Sequence, residues 1–381
     1  MRQQASLART ATRYTLPPLI HIVPTTPPEV NGLTDYCRQL WRYWPEPEPK
    51  WAIASPNVVH GAEEAWPGVS FHPFERNASS LGAALEESGE KTAVLHYVGY
   101  GYDARGVPAW LPKGLEKWKS DGGKLVTMFH EIYASGPPWK SEFWLRPKMV
   151  RIAQQIVDLS DRWITSCPDW FDRLTDEFRA DSKRGCLIPI SSAIDPIDRA
   201  PVDPWPLANG KQISVAIFGF PRTRSLSLSA HRRLLSILAD KGRIHRVMLI
   251  GREPDPVTGS EVDRVLTEIG LIGRKETLFN ATSDAISKKL SECAIGLSYY
   301  PYGILSKSSA FAAYAVHGLT TVIPKSAKTG PGPFLENDEF RPEVCWEALQ
   351  KPPKSCDTSV YLPDKVAAKF AAEVAKACAS S

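Results

Sequence analysis

The chain's strongest constraint on its fold is a rhythm in which short, continuous apolar runs alternate with longer stretches of helical period. "LIHIVP" (from Leu19), "KWAIASP" (from Lys50), "KTAVLHYVGYG" (from Lys91), "KLVTMFHEI" (from Lys124) and "RWITSC" (from Arg162) each read as a strand buried on both faces. A helix is expected to begin near Leu33, and "LPKGLEKWKS" and "FWLRPKMVRIAQQIVDLS" supply others between the strands. Strands of this kind, separated by helices, build parallel sheets covered on both sides. The proline-rich stretch "AIDPIDRAPVDPWPLANGK", residues 193–211, breaks the pattern. It then restarts with "QISVAIFGF", "HRVMLIG", "ETLFNAT" and "AIGLSYY", with helical stretches between them. The expected class is α/β, with two Rossmann-like, doubly wound parallel-sheet domains. Their bounds are 18–200 and 201–362, after a disordered tail at 1–17 and before a last helix at 363–381 that could pack back on the first domain.

Composition narrows the function. The chain is 43% hydrophobic and 23% charged, as soluble globular proteins are. A net charge of +4 suits an anionic ligand or peripheral contact with an acidic membrane, and is too small to argue for nucleic acid. No apolar run reaches the roughly eighteen residues a membrane helix needs. The seven cysteines are scattered and never form C-x-x-C, which fits a reducing compartment and hence the cytoplasm.

Several motifs fail. His130-Glu131 lacks the second histidine of a zinc hydrolase, so no metal is expected. Gly99 and Gly101 lack the third glycine of a dinucleotide fingerprint, and neither a P-loop nor a G-x-S-x-G elbow is present.

Ligands of doubly wound sheets gather outside the carboxyl ends of the strands, so the loops there carry the candidates. Gly32, in "PTTPPEVNG", precedes a helix and lets backbone N–H groups approach an anion. His96, Tyr100 and Tyr102 lie in a loop whose aromatics suit a polyol acceptor. His130 and Glu131 end an apolar run and lead into a stiff segment carrying Trp139. In the second half Gly219, Arg222 and Arg224 form a glycine-and-guanidinium loop of the kind that grips phosphate. Gly251, Arg252 and Glu253 repeat it. Finally, Gly303 precedes Ser306, Lys307, Ser308 and Ser309 at the expected mouth of a helix running to His317 and stopped by Gly318. Hydroxyls, one ammonium and the helix dipole together favour an anion there.

Residues 18–325 resemble the GT-B-fold, family 4-like (group 1) glycosyltransferases. "PTTPPEVNGLTDYCRQL" is similar to their first loop and helix, and "SDRWITSCPDWFDRL" to the strand and helix before their linker. "CLIPISSAID" resembles their Ile-Pro-Asn-Gly-Val-Asp segment, and the stretch from Leu278 to Pro324 their donor site. The paired glutamates of the family are replaced by Leu305 and Ala313, while Gly303 to Ser308 resemble a Gly-x-x-Ser-basic-basic version found in divergent relatives. The resemblance implies two domains facing a cleft and transfer of a sugar from a nucleotide-diphosphate sugar, a co-substrate, with no separate cofactor. It further implies a saccharide or lipid-linked acceptor bound by the first domain, retention of anomeric configuration, and work at the inner face of a membrane in polysaccharide assembly. His130 would lie near the transferred sugar and Glu131 near the acceptor. A catalytically silent nucleotide-sugar-binding protein and a sugar-nucleotide epimerase are the alternatives.

Overall fold

A computed structural model describes residues 16–29, 31–45, 51–197, 206–351 and 356–379. The tail expected at 1–17 lies outside the described residues as far as residue 15. Thirteen strands are present among the described residues. The first seven are β1 (Leu19–Ile22), β2 (Trp51–Ser55), β3 (Ser70–Pro73), β4 (Thr92–Tyr97), β5 (Lys124–Phe129), β6 (Arg162–Thr165) and β7 (Gly185–Leu187). They form one sheet in the order β3-β2-β1-β4-β5-β6-β7. The remaining six are β8 (Ile213–Gly219), β9 (Ile244–Gly251), β10 (Lys275–Phe279), β11 (Ile295–Leu297), β12 (Thr320–Pro324) and β13 (Phe334–Asn337). Their order is β10-β9-β8-β11-β12-β13. Both sheets are parallel, and each reverses direction of growth once, between β1 and β4 and between β8 and β11. The doubly wound expectation is therefore met twice.

Burial explains which strands the sequence announces. β1, β2 and β4 are buried at every position. β3 and β7 are edge strands with no fully buried residue, and β13, also an edge strand, has only one. These three carry no continuous apolar run and were not anticipated, whereas β10, an edge strand with no fully buried residue either, is announced by "ETLFNAT".

The chain divides into two compact units. The described residues of Met1–Val30, Tyr43–Trp163 and Ala367–Ser381 form one, and those of Asn31–Arg42 and Ile164–Val366 the other. The division falls within β6 instead of at residues 193–211. Side-chain and backbone bonds tie 164–190 into the second unit: Ser306 Oγ donates to the carbonyl of Ser166 at 2.6 Å, and Ile190 N–H to that of Ser306 at 2.9 Å. In the first unit, the closing helix Pro363–Ala379 sets Phe370 against the rings of Trp44 and His96. It also places Glu373 2.5 Å from the Arg162 guanidinium, both nearly buried. The second unit is built around a cluster that includes Val215, Ile217, Leu235, Val247, Leu266 and Val322.

Candidate functional site

In the first unit, register brings three distant histidines together. His21 of β1 lies opposite Val94 of β4, and His96 lies opposite Met128 of β5. Side chains two apart share a sheet face. His21, His96 and His130, which follows β5 directly, therefore descend diagonally across three neighbouring strands. His21 Nδ1 is 3.0 Å from His96 Nε2, and His96 Nδ1 is 3.1 Å from His130 Nε2. His21 and His96 are fully buried and His130 is half-buried. Burial pushes the pKa of His21 and of His130 down to about 3; burial and then the neighbouring imidazoles lower that of His96. All three rings are neutral at pH 7.

Two sequence assignments change here. His96 is enclosed by its neighbours and presents no face to an acceptor. Tyr102 is likewise buried, its hydroxyl within reach of the carbonyls of Ile22 (2.9 Å) and His96 (3.2 Å). The supposed loop around it is a helical turn, Gly99–Tyr102, pressed so close to Pro24 that a side chain at Gly101 would collide with the proline ring. Tyr100 remains on the outside at 39% exposure, its pKa pushed up by burial and by Glu142 and Glu131. Glu131 and Trp139 are exposed. Unforeseen from sequence is a polar cluster past the ends of β1 and β2. Thr25 Oγ1 donates to Glu29 Oε2 (2.6 Å) and accepts from Asn57 Nδ2 (3.0 Å).

In the second unit the strand-order reversal lies between β8 and β11. Helix Pro221–Ala230 starts at the end of β8, and helix Ser309–Val316 follows β11 and leads back to β12. Both helix N-termini therefore face the carboxyl edge of the sheet. That edge is where backbone N–H groups and dipoles attract anions.

Arg222 and Arg224 sit in the first of these helices, not in a loop, and their roles separate. Arg222 is exposed. Arg224 is buried and donates to the carbonyls of Gly219 (2.5 Å), Arg252 (2.6 Å) and Ile250 (3.4 Å), with its guanidinium 4.8 Å from the Phe279 ring. It joins the ends of β8, β9 and β10, and three of its five N–H donors are committed to carbonyls there. Gly219 and Gly251 are paired across β8 and β9 with φ of 137° and 131°, and a Cβ on Gly251 would strike the carbonyl of Gly219. Arg252 extends over the Phe220 ring at 5.4 Å and acts on Asp35 in helix Gly32–Arg42. Gly32 opens that helix. Asn31 Oδ1 accepts from the N–H groups of Leu33 (3.0 Å) and Thr34 (2.9 Å), so the helix mouth is capped from within.

The serine cluster also resolves residue by residue. Ser308 is the N-cap, accepting from Phe311 N–H at 3.2 Å, and Ser306 is committed to the Ser166 carbonyl. Only Ser309 is exposed, as the first residue of the helix. Gly303 is buried in the turn Tyr302–Leu305 against the Asp169 carboxylate, leaving no room for a Cβ. Lys307 is half-buried, its Nζ 4.9 Å from the Trp170 ring and 5.5 Å from that of Tyr300. Leu305 and Ala313 are buried core positions. Among the described residues, no three His, Cys, Asp or Glu side chains group as metal ligands. No helix of the described residues is long and apolar enough to cross a membrane.

Two doubly wound parallel sheets in tandem, each with its reversal after the third strand, give the chain the GT-B fold. It is similar over 97% of its length, and 100% of the other's, to a glycosyltransferase from Rickettsia africae, at 11% identity and a TM-score of 0.63. It is also similar to a sucrose-phosphate synthase from Thermosynechococcus elongatus, at 13% identity and a TM-score of 0.57, covering 95% of this chain and 97% of that one. A UDP-GlcNAc 2-epimerase from Methanocaldococcus jannaschii aligns at 8% identity and a TM-score of 0.50, over 94% of this chain and 99% of that one. No protein-family profile matches the sequence. No curated protein matches it either.

Proposed function

We propose that the chain is a glycosyltransferase that moves a sugar from a nucleotide-diphosphate donor to a saccharide or lipid-linked acceptor, with retention of configuration. One observation carries the reading: at the carboxyl edge of the second sheet, two helix N-termini coincide with Arg222, Arg252 and Lys307. A departing diphosphate gains negative charge, and pre-positioned cations and N–H groups stabilise that charge as it develops. Arg222, Arg252, Lys307, Gly219 and Ser309 are assigned to the diphosphate, with Gly32 at the neighbouring helix mouth. Arg224, Ser306, Ser308 and Gly303 shape that site without touching the ligand. In the first unit, His130 is assigned to the transferred sugar, and Glu131, Tyr100 and Trp139 to the acceptor. With a pKa of about 3, His130 is a weak base and serves as a hydrogen-bonding group. Charge neutralisation falls to these side chains, without a metal or a separate cofactor. The likeness to glycosyltransferases along the whole chain supports the reading, and the seven free thiols fit a cytoplasmic enzyme.

Titration calorimetry with UDP, GDP, ADP and TDP tests the assignment. At least one diphosphate should bind, and Lys307→Ala should weaken it. Binding by none of the four removes the proposal. The likeness to an epimerase favours a second reading, separated by its product: an epimerised nucleotide sugar formed without acceptor, in place of a released nucleotide diphosphate. Binding without either product indicates a silent module, consistent with Leu305 and Ala313 where relatives of this fold carry paired glutamates.

A further inference from the structure

We propose that the start of helix Ser141–Leu159 and the loop before it dock on a bilayer surface that contains anionic lipid. The first observation is where the chain leaves its aromatics. Of the described tryptophans only Trp139 and Trp144 are exposed, at 81% and 70%, and Phe143 between them is 43% exposed. The other described tryptophans are buried or half-buried, so the fold covers indoles elsewhere and leaves this pair in water. Exposed aromatics gathered in one place mark an interaction surface. The helix explains how they are presented. Met149, Ile152, Ala153 and Ile156 form its buried face. Trp144, Lys148 and Arg151 follow at spacings of four and three, so they share the opposite, outward stripe. All three are exposed, and the stripe meets no acid before Asp158. Lys140, also exposed, precedes the helix beside Trp139. Glu142 turns the other way, toward Gly136 and Tyr100, where Glu131 also acts.

This arrangement complements a bilayer at two depths. Aromatic rings settle at the boundary between headgroups and acyl chains, where tryptophan is favoured. Cations on long stems reach the lipid phosphates from the same stripe. Trp144 is prepared for leaving water. Its Nε1–H donates to the Pro138 carbonyl at 2.8 Å, so burying the ring strands no donor. Phe143 has no polar atom and meets the Trp144 ring nearly edge-on, with centroids 5.3 Å apart. A saccharide platform would use the indole N–H and neighbouring carboxylates to hold hydroxyls. Here that N–H is spent, and the neighbours along the stripe are cations. The helix lies on the surface and does not cross it, being neither long nor apolar enough.

The docking does not depend on sugar transfer; its consequence rests on the reading under Proposed function. The loop that ends in Trp139 starts at His130, so a docked protein meets an acceptor carried on a lipid in preference to a free saccharide. Vesicle flotation of the full-length protein, with no nucleotide or acceptor added, tests the docking. Phosphatidylcholine vesicles with about 30% phosphatidylglycerol should carry the protein up the gradient, and phosphatidylcholine alone should carry much less. Trp139→Ala/Trp144→Ala should stay at the bottom. Lys148→Gln and Arg151→Gln should each weaken binding roughly fivefold, the loss of one surface cation. Brominated acyl chains in the same vesicles should quench the wild-type tryptophan fluorescence, a result that needs no variant. Failure to float, bound protein without quenching, or a double variant that floats like the wild type would each overturn the proposal. Retention on a neutral glucan gel through the same two tryptophans, without vesicle binding, would also overturn it and assign the patch to a polysaccharide. Because no nucleotide is added, failure here leaves the transferase reading to its own calorimetric test.

Discussion

Arg222 and Arg224 stand two residues apart, and sequence offers no reason to treat them differently. The helix that begins at Pro221 does, because it turns one guanidinium outward and the other into the ends of three strands. Arg224→Met keeps the bulk but abandons buried carbonyls, each costing about 1–3 kcal/mol when left unpaired. Its urea midpoint should fall sharply, by about 3 kcal/mol in stability. Arg222→Ala should leave stability within about 0.5 kcal/mol, as exposed positions do, and reduce nucleotide-diphosphate affinity in calorimetry. Equal destabilisation by both would show that the division of roles is wrong. Lys307 is held over Trp170 and Tyr300 by interactions worth about 0.5–1 kcal/mol each at partly exposed sites. An incoming phosphate can outbid them, since a charge-assisted hydrogen bond contributes about 1.5–3 kcal/mol. Lys307→Ala should therefore weaken diphosphate binding roughly thirtyfold, or about 2 kcal/mol, while the urea midpoint barely moves.

Among the elements, what the sequence disclosed follows from burial. β1, β4, β5, β8 and β9 were legible because interior strands of a parallel sheet need apolar residues on both faces; β3, β7 and β13 at the edges carried no such run. The site was legible only as far as its loops. The expected helix at 306–317 begins instead at Ser309, and its serines divide among a cap, a tether and one exposed hydroxyl. Sequence could count the hydroxyls but could not see Ser166, 140 residues away, claiming one of them. The histidine chain was hidden for the same reason, since strand register alone brings positions 21, 96 and 130 together. These divided roles can be separated experimentally. Ser308→Ala removes the cap and should cost about 1 kcal/mol. Ser309→Ala should cost little stability and reduce diphosphate affinity, read by thermal melts and calorimetry on the same samples. Gly251→Ala should be the most damaging change at this edge, because it meets both a left-handed φ and the Gly219 carbonyl.

Across the whole molecule, buried neutral histidines in both units tie stability to pH. His21 belongs to the first unit; in the second, His231 is also buried, and its pKa is pushed down to about 4. The geometry shows why His231 resists a proton. Its Nε2–H donates to the Ser298 carbonyl at 2.8 Å, and Nδ1 accepts from Asn337 Nδ2 at 3.0 Å, so protonation would set two donors against each other. A folded pKa below the unfolded value of about 6.5 means that the unfolded chain binds more protons as pH falls. The stability is fully present above pH 6.5 and declines below it, toward pH 3 for His21 and pH 4 for His231. At about 1.4 kcal/mol per pH unit and per group, moving from pH 7 to pH 5 removes about 2 kcal/mol through His21 and a similar amount through His231. Losses of that size are a large fraction of a typical domain's stability. Native-state hydrogen exchange at the two pH values should show both cores weakening, since the first holds His21 together with His96 and His130, and the second holds His231. In His231→Gln the second unit should lose its share of the pH dependence while the first keeps its own. A second unit whose protection declines as steeply in that variant as in the wild type would place its acid sensitivity somewhere other than His231.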